Sequence, residues 1–129
     1  MEVIVTRKDD SGDELPVWNE RRLLERLGND TQLVREMLRV FDEEMPELLG
    51  MLFDGLDAGN REVVERAAHA MKGAALNLEA VELAGICGEF EKSAFSASWD
   101  RLREQAGSIR SAYERFMAIV SESGRWERT

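Results

Sequence analysis

The chain has 129 residues, 43% hydrophobic and 33% charged, a balance that fits one globular domain rather than a disordered segment. Its formal net charge is -9, and an acidic surface repels phosphate backbones, so nucleic acid and anionic membrane surfaces are poor partners. No apolar run reaches the roughly 20 residues that membrane insertion needs, and the opening MEVIVTRKDD has no signal-peptide pattern; with Cys87 as the sole cysteine, a reducing, cytoplasmic setting and no internal disulfide are expected.

Residues 1–16 are polar and rich in turn formers, and read as a leader or linker. From there the apolar residues repeat at helical spacing. A short helix is predicted from Asn19 or Glu20 to Leu27, with Gly28 at its end and Asp30 capping the next helix. That second helix places Leu33, Met37, Val40, Phe41, Leu48, Leu52 and Leu56 on its apolar stripe. Pro46 lacks an amide donor, so a kink or brief break is expected around Glu44 to Met45. Met45 and Met51 fit either the core or an exposed rim. Gly59 and Asn60 then stop one helix and cap another, predicted over Arg61 to Asn77. A fourth helix runs from about Glu79 to Ala94 or Phe95, burying Leu83, Ala84, Cys87, Phe90 and Ala94. The last, capped by Ser98 or a nearby serine, carries Leu102, Ala106, Ile109, Tyr113, Phe116 and Val120 inward. Trp18 would seat the first helix and Trp99 close the entry to the last, with Trp126 in a C-terminal tail, residues 123–129. Short connections between long amphipathic helices favour antiparallel neighbours. The fold class is therefore all-α: an antiparallel up-down four-helix bundle over residues 17–122, with an additional short N-terminal helix.

The third helix holds the protein's one histidine, His69, in the run AHAMKGAALNLEA. At about 100° per residue, Val63, Val64, Ala67, Met71, Ala74, Ala75 and Leu78 share an arc of roughly 120°, and His69 falls opposite its middle. The imidazole therefore faces away from the bundle. Glu62, Glu65, Lys72, Gly73 and Leu76 share its face. Gly73 lies one turn on, where it lets another surface approach the ring despite the roughly 0.5–1 kcal/mol that a mid-helix glycine costs. Lys72 offers a cation to an anion carried on the ring, and Leu76 is an apolar spot on a face meant for water. Ala67, Ala68 and Ala70 are consistent with a flat surface for a partner to cover. An unprotonated ring nitrogen is a nucleophile able to attack phosphorus.

The segment AHAMKGAALNLEA resembles the phosphoacceptor stretch of histidine-containing phosphotransfer (HPt) domains, A-H-x-[LM]-K-G-x-x-x-x-[LI]-G-A. VWNERRLLERLGNDTQLVREMLRVFDEEMPELLGML is similar to the family's first two helices, and LAGICGEFE resembles its L-x-x-x-C-x-x-L-E stretch, so the likeness spans roughly Val17 to Val120. It implies that His69 accepts a phosphoryl group from a receiver-domain aspartyl phosphate and passes it to another receiver. Lys72 would stabilise the phosphoryl oxygens and Gly73 would give access. Glu62, Glu65, Arg66, Ala70, Leu76 and Asn77 would make the partner-binding face. The partners implied are receiver domains of response regulators or of a hybrid sensor histidine kinase. The chain would act as a monomeric phosphotransfer protein rather than a self-contained enzyme, with no kinase catalytic domain. It would bind no cofactor itself, Mg²⁺ being brought by the receiver. One departure stands out: Glu79 occupies a position where the family usually has glycine, which puts the geometry of that helix corner in question.

Two other readings compete. A non-phosphorylated module that binds receivers with the same fold would be marked by loss of the histidine, and His69 is present. A bundle metal site would use inward Glu-x-x-His motifs on several helices; here the sole histidine points outward and Glu65 precedes it by four residues, so no metal site is expected.

Overall fold

The computed structural model describes residues 6–8 and 14–126. Parts of the expected leader (1–5 and 9–13) and the last three residues of the tail lie outside the described residues. Within the leader a short antiparallel pair forms, β1 (Thr6–Lys8) and β2 (Glu14–Pro16), in the register Thr6 to Pro16 and Lys8 to Glu14. The helices are α1 (Glu20–Arg26), α2 (Thr31–Ala58), α3 (Arg61–Asn77), α4 (Val81–Ser93) and α5 (Trp99–Glu122). Helix α2 packs on α3, α3 on α4, α4 on α5, and α5 returns to α2, closing a four-helix bundle. No described helix is long and apolar enough to cross a membrane.

Four of the five helices start where a short polar side chain meets the free amides of the first turn; α4 starts on Ala80 without one. Asn19, Asp30, Asn60 and Ser98 accept from the backbone N–H of Arg22, Leu33, Val63 and Arg101. Helix α2 ends on Gly59, left-handed at φ 65°. Close to that end, α2 and α3 approach so tightly that a Cβ on Gly55 would lie 2.9 Å from Cγ1 of both Val63 and Val64, and only glycine fits.

The core runs the length of the bundle, from Leu38, Met45, Leu52 and Leu56 on α2 through Met71, Leu83 and Phe90 to Leu102, Ile109 and Phe116 on α5. Two polar ties cross it. Glu82, buried on α4, accepts from Arg115 Nε at 2.9 Å, and Tyr113 donates its hydroxyl to Asp42 at 2.6 Å.

Several expectations change. Helix α2 runs unbroken through Pro46, whose ring lies on the exposed side and clear of the core. Of its expected stripe Phe41, Leu52 and Leu56 are buried and Met37 and Leu48 half-buried, but Leu33 and Val40 are exposed, and Val34, Leu38, Met45 and Leu49 face inward instead. Met45 is core and Met51 is surface. Helix α4 begins at Val81 rather than Glu79, because Glu79 takes a left-handed conformation, φ 58°, that ends α3. Trp126 packs half-buried against the core.

Candidate functional site

The α3–α4 corner fixes the helix that carries His69. The N–H of Ala80 bonds the carbonyl of Ala75 at 2.9 Å, and that of Glu79 bonds Leu76 at 3.1 Å, the paired pattern of a Schellman C-cap. Glutamate thus occupies a left-handed position that glycine would hold more easily. The carbonyls left over at the end of α3 are met from α1 and its approach. Trp18 Nε1 donates to Leu78 O at 2.8 Å, Arg26 to Asn77 O at 2.8 Å, and the Asn19 N–H to Glu79 O at 2.9 Å. The Glu79 carboxylate meets Arg22 at 3.3 Å and Arg26 at 3.0 Å. The side chain that replaces the usual glycine therefore clamps α1 onto the corner. At the opposite end, Arg61 stacks on Trp99 at 4.3 Å and donates to the carbonyls of Ala94 and Ala97. Helix α3 is held at both ends, and His69 sits midway.

The His69 side chain is 66% exposed, on the outer face of α3 as its phase requires. Its Nδ1 lies 2.7 Å from Oε1 of Glu91, which projects from α4. Oε2 of the same carboxylate lies 2.7 Å from Lys72 Nζ. The Lys72 ammonium and, next, the ring N–H hold the Glu91 carboxyl below the usual carboxylate range. Glu91 is therefore an ionised, acceptor-only group at neutral pH, and Nδ1 must be the nitrogen that carries the hydrogen. The lone pair is left on Nε2, facing outward. One carboxylate thus sets the tautomer of the nucleophile and holds the neighbouring cation beside it.

Beneath this surface Cys87 is fully buried, and burial, with the Glu91 charge second, pushes its thiol up to about 12. It stays protonated and is packing, not a second nucleophile.

Gly73 is exposed, its φ is not left-handed, and a Cβ there would meet nothing within 4 Å. Nothing inside the protein demands glycine at this position. Gly50 and Gly107 share that freedom, and what sets Gly73 apart is its place beside His69.

The remaining site residues are spread along and around α3. Glu65 joins His69 and Glu91, with one ligand-capable atom from each within 4.8 Å of the others. Leu76, 56% exposed, lines a cleft of about 530 Å³ with Lys72, Arg22, Glu79, Ala80, Val81, Ala84 and Gly85. Asn77 lines a different cleft, between α2 and α3, with Met37, Val40 and Ala74. Glu62 and Arg66 face each other at 3.9 Å, both exposed. Ala70 is exposed, but Ala67 and Ala68 are buried where α3 packs into the bundle, so they form no part of a partner surface.

Sequence reasoning missed Glu91 because it lies on another helix, 22 residues away. Its signal was nonetheless in the chain: the family stretch that LAGICGEFE resembles ends on Glu91, and Cys87 and Phe90 set the inward phase of α4, which leaves Glu91 at the edge facing α3.

An outward imidazole on a rigid antiparallel bundle, held in one tautomer beside a lysine, defines a histidine phosphotransfer domain. Comparison with protein families bears this out: the Hpt domain model matches residues 36–119. Among solved structures, the chain is similar to histidine-containing phosphotransfer protein B (HptB) from Pseudomonas aeruginosa PAO1. The identity is 26% and the TM-score 0.76, over 87% of this chain and 98% of that one. No curated protein sequence matches. The chain belongs to the Hpt domain family, whose members are phosphotransfer intermediates in phosphorelays.

Proposed function

We propose that His69 accepts a phosphoryl group on Nε2 from the aspartyl phosphate of a receiver domain and returns it to the aspartate of another. The observation that carries this reading is the 2.7 Å bond from Nδ1 to Glu91. In the transfer, the Nε2 lone pair forms the N–P bond while the aspartyl O–P bond breaks, and the receiver carboxylate leaves with the electron pair. No proton has to move, because Nδ1 keeps its hydrogen throughout. The phosphorylated ring then carries a positive charge, and the Glu91 carboxylate lies against it. Lys72 can turn from Oε2 of Glu91 to the phosphoryl oxygens while His69 keeps Oε1. Transfer in either direction is a matter of positioning and charge rather than of a built pocket.

The receiver supplies the acidic pocket and Mg²⁺. It docks over α3, where Gly73 leaves room and the cleft by Leu76 offers apolar contact beside the reactive nitrogen. Receivers of response regulators or of a hybrid sensor kinase are the partners this face suits, with the chain acting as a monomer in the cytoplasm. A receiver-binding module without phosphate would have no use for a tautomer-fixing carboxylate.

The test is incubation with a phosphorylated receiver, followed by assay for an acid-labile, base-stable label. Label is expected on the wild type and absent from His69→Gln. Label that persists in His69→Gln, or none across a panel of receivers, would overturn the proposal.

A further inference from the structure

Glu65 and His69 stand one turn apart on α3, and Glu91 reaches them from α4. One donor atom from each lies within 4.8 Å of the other two. The three donors form an outward cluster spanning two helices, unlike an inward bundle site, and only the tertiary structure brings it together. The two oxygens of Glu91 face different partners: Oε2 is 2.7 Å from Lys72 Nζ, and Oε1 is 2.7 Å from the ring. A metal could therefore take Oε1 without displacing the lysine, which would orient the carboxylate from behind. Transition metals bind nitrogen and oxygen at about 2.0–2.2 Å, so donors of one ion stand about 3–3.5 Å apart. Reaching that spacing requires side-chain rotation of Glu65 and His69, both of which are accessible to solvent.

We propose that Glu65, His69 and Glu91 form a site for a Zn²⁺-class transition-metal ion, and that its occupancy reversibly blocks phosphoryl acceptance. Two carboxylates and one imidazole leave a fourth position for water. The imidazole favours Zn²⁺ over Mg²⁺, which prefers oxygen donors and keeps its own waters, so the Mg²⁺ of a receiver does not compete. Blocking follows whichever ring nitrogen binds. A metal on Nε2 occupies the lone pair directly. A metal on Nδ1 forces the ring hydrogen onto Nε2, through exchange with solvent, and again leaves no lone pair there. The blocking step rests on the phosphotransfer reading above; the site itself does not.

Because His69 is the only histidine, ¹⁵N-histidine labelling reports on this ring alone. The full chain is titrated with ZnCl₂, and separately with MgCl₂, while the two ring nitrogens are followed by NMR. Stoichiometric Zn²⁺ is expected to shift them and remove the signature of an unprotonated, unliganded Nε2, and Mg²⁺ to leave them unmoved. Glu65→Gln is expected to weaken Zn²⁺ binding by at least about tenfold, the scale on which even outer-shell partners act. Ring nitrogens unmoved by stoichiometric Zn²⁺, or an affinity unchanged in Glu65→Gln, would overturn the site. Label transfer from a phosphorylated receiver is then measured with and without saturating Zn²⁺, and again after a zinc-selective chelator that spares Mg²⁺. Loss of label with recovery on chelation supports the block, and transfer indifferent to saturating Zn²⁺ refutes it. Failure of the metal-free protein to take label counts against phosphotransfer, while the NMR titration still decides the site.

Discussion

Replacing Glu91 with glutamine isolates what its charge contributes. The amide oxygen can still accept from His69 Nδ1, so the tautomer is retained, but the negative charge beside the ring and the partner of Lys72 are lost. A hydrogen bond to a charged group contributes about 1.5–3 kcal/mol and a neutral one about 0.5–1.5. Glu91 accepts from the ring in both forms, but only the phosphorylated ring is positively charged, and that further charge strengthens the bond by about 1–1.5 kcal/mol, the gap between those two ranges. With the imidazole two-thirds exposed, solvent screening keeps the effect at the lower end of that range. Glu91→Gln is therefore expected to shift the phosphotransfer equilibrium toward the receiver by about five- to tenfold. Glu91→Ala, which also frees the tautomer, should fall below Glu91→Gln. The assay is the fraction of labelled protein at equilibrium with a fixed ratio of phosphorylated to unphosphorylated receiver, with circular dichroism to confirm folding. A Glu91→Gln equilibrium indistinguishable from wild type would refute the role assigned to the carboxylate. So would a Glu91→Ala variant that matches Glu91→Gln, because tautomer control would then count for nothing.

Three further outcomes follow from other positions. Gly73→Ala should raise thermal stability by up to about 1 kcal/mol, since a Cβ there meets nothing within 4 Å, while slowing transfer from a receiver; a faster transfer would show that access is not its role. Glu79→Gly relieves a left-handed strain of about 1–2 kcal/mol but loses two partly exposed ion pairs of about 0.5 kcal/mol each. It should thus melt near wild type or slightly above, and Glu79→Ala, which keeps the strain and loses the pairs, clearly below. For pH, the folded-state pKa of Glu91 is depressed, so its contribution is fully present above the ordinary value of 4.5 and is lost as pH falls through the lower folded value. Wild-type stability should therefore decline more steeply than that of Glu91→Gln only on the acid side of that value, as measured by thermal melts across pH.

Much of the site's local logic was legible along one helix. The 3.6-residue period alone turns His69 outward, sets Lys72 and Gly73 one turn from it, and places Leu76 on the same face. Caps were equally local: Asn19, Asp30, Asn60 and Ser98 act within three residues of themselves. What could not be read was any contact between helices. Helix α2 carries two adjoining apolar rows, one through Leu33, Met37 and Val40 and one through Val34, Leu38 and Met45, with Phe41 common to both. Periodicity fits both, and packing against α3 and α5 buries the second. Ala68 looked like surface only because its neighbour in the chain is exposed, whereas the helical phase had already put Ala67 inward.

Glu79 and Glu91 mark the same division. In the chain, Glu79 is a departure from a glycine position; in the fold it keeps the turn in glycine's left-handed geometry, where Arg22 and Arg26 meet its carboxylate. The sequence alone determined the nucleophile, the cation one turn away and the direction both face, because these depend on spacing within one helix. Which ring nitrogen is free to react was decided by the tertiary structure, since the carboxylate that fixes it arrives from α4.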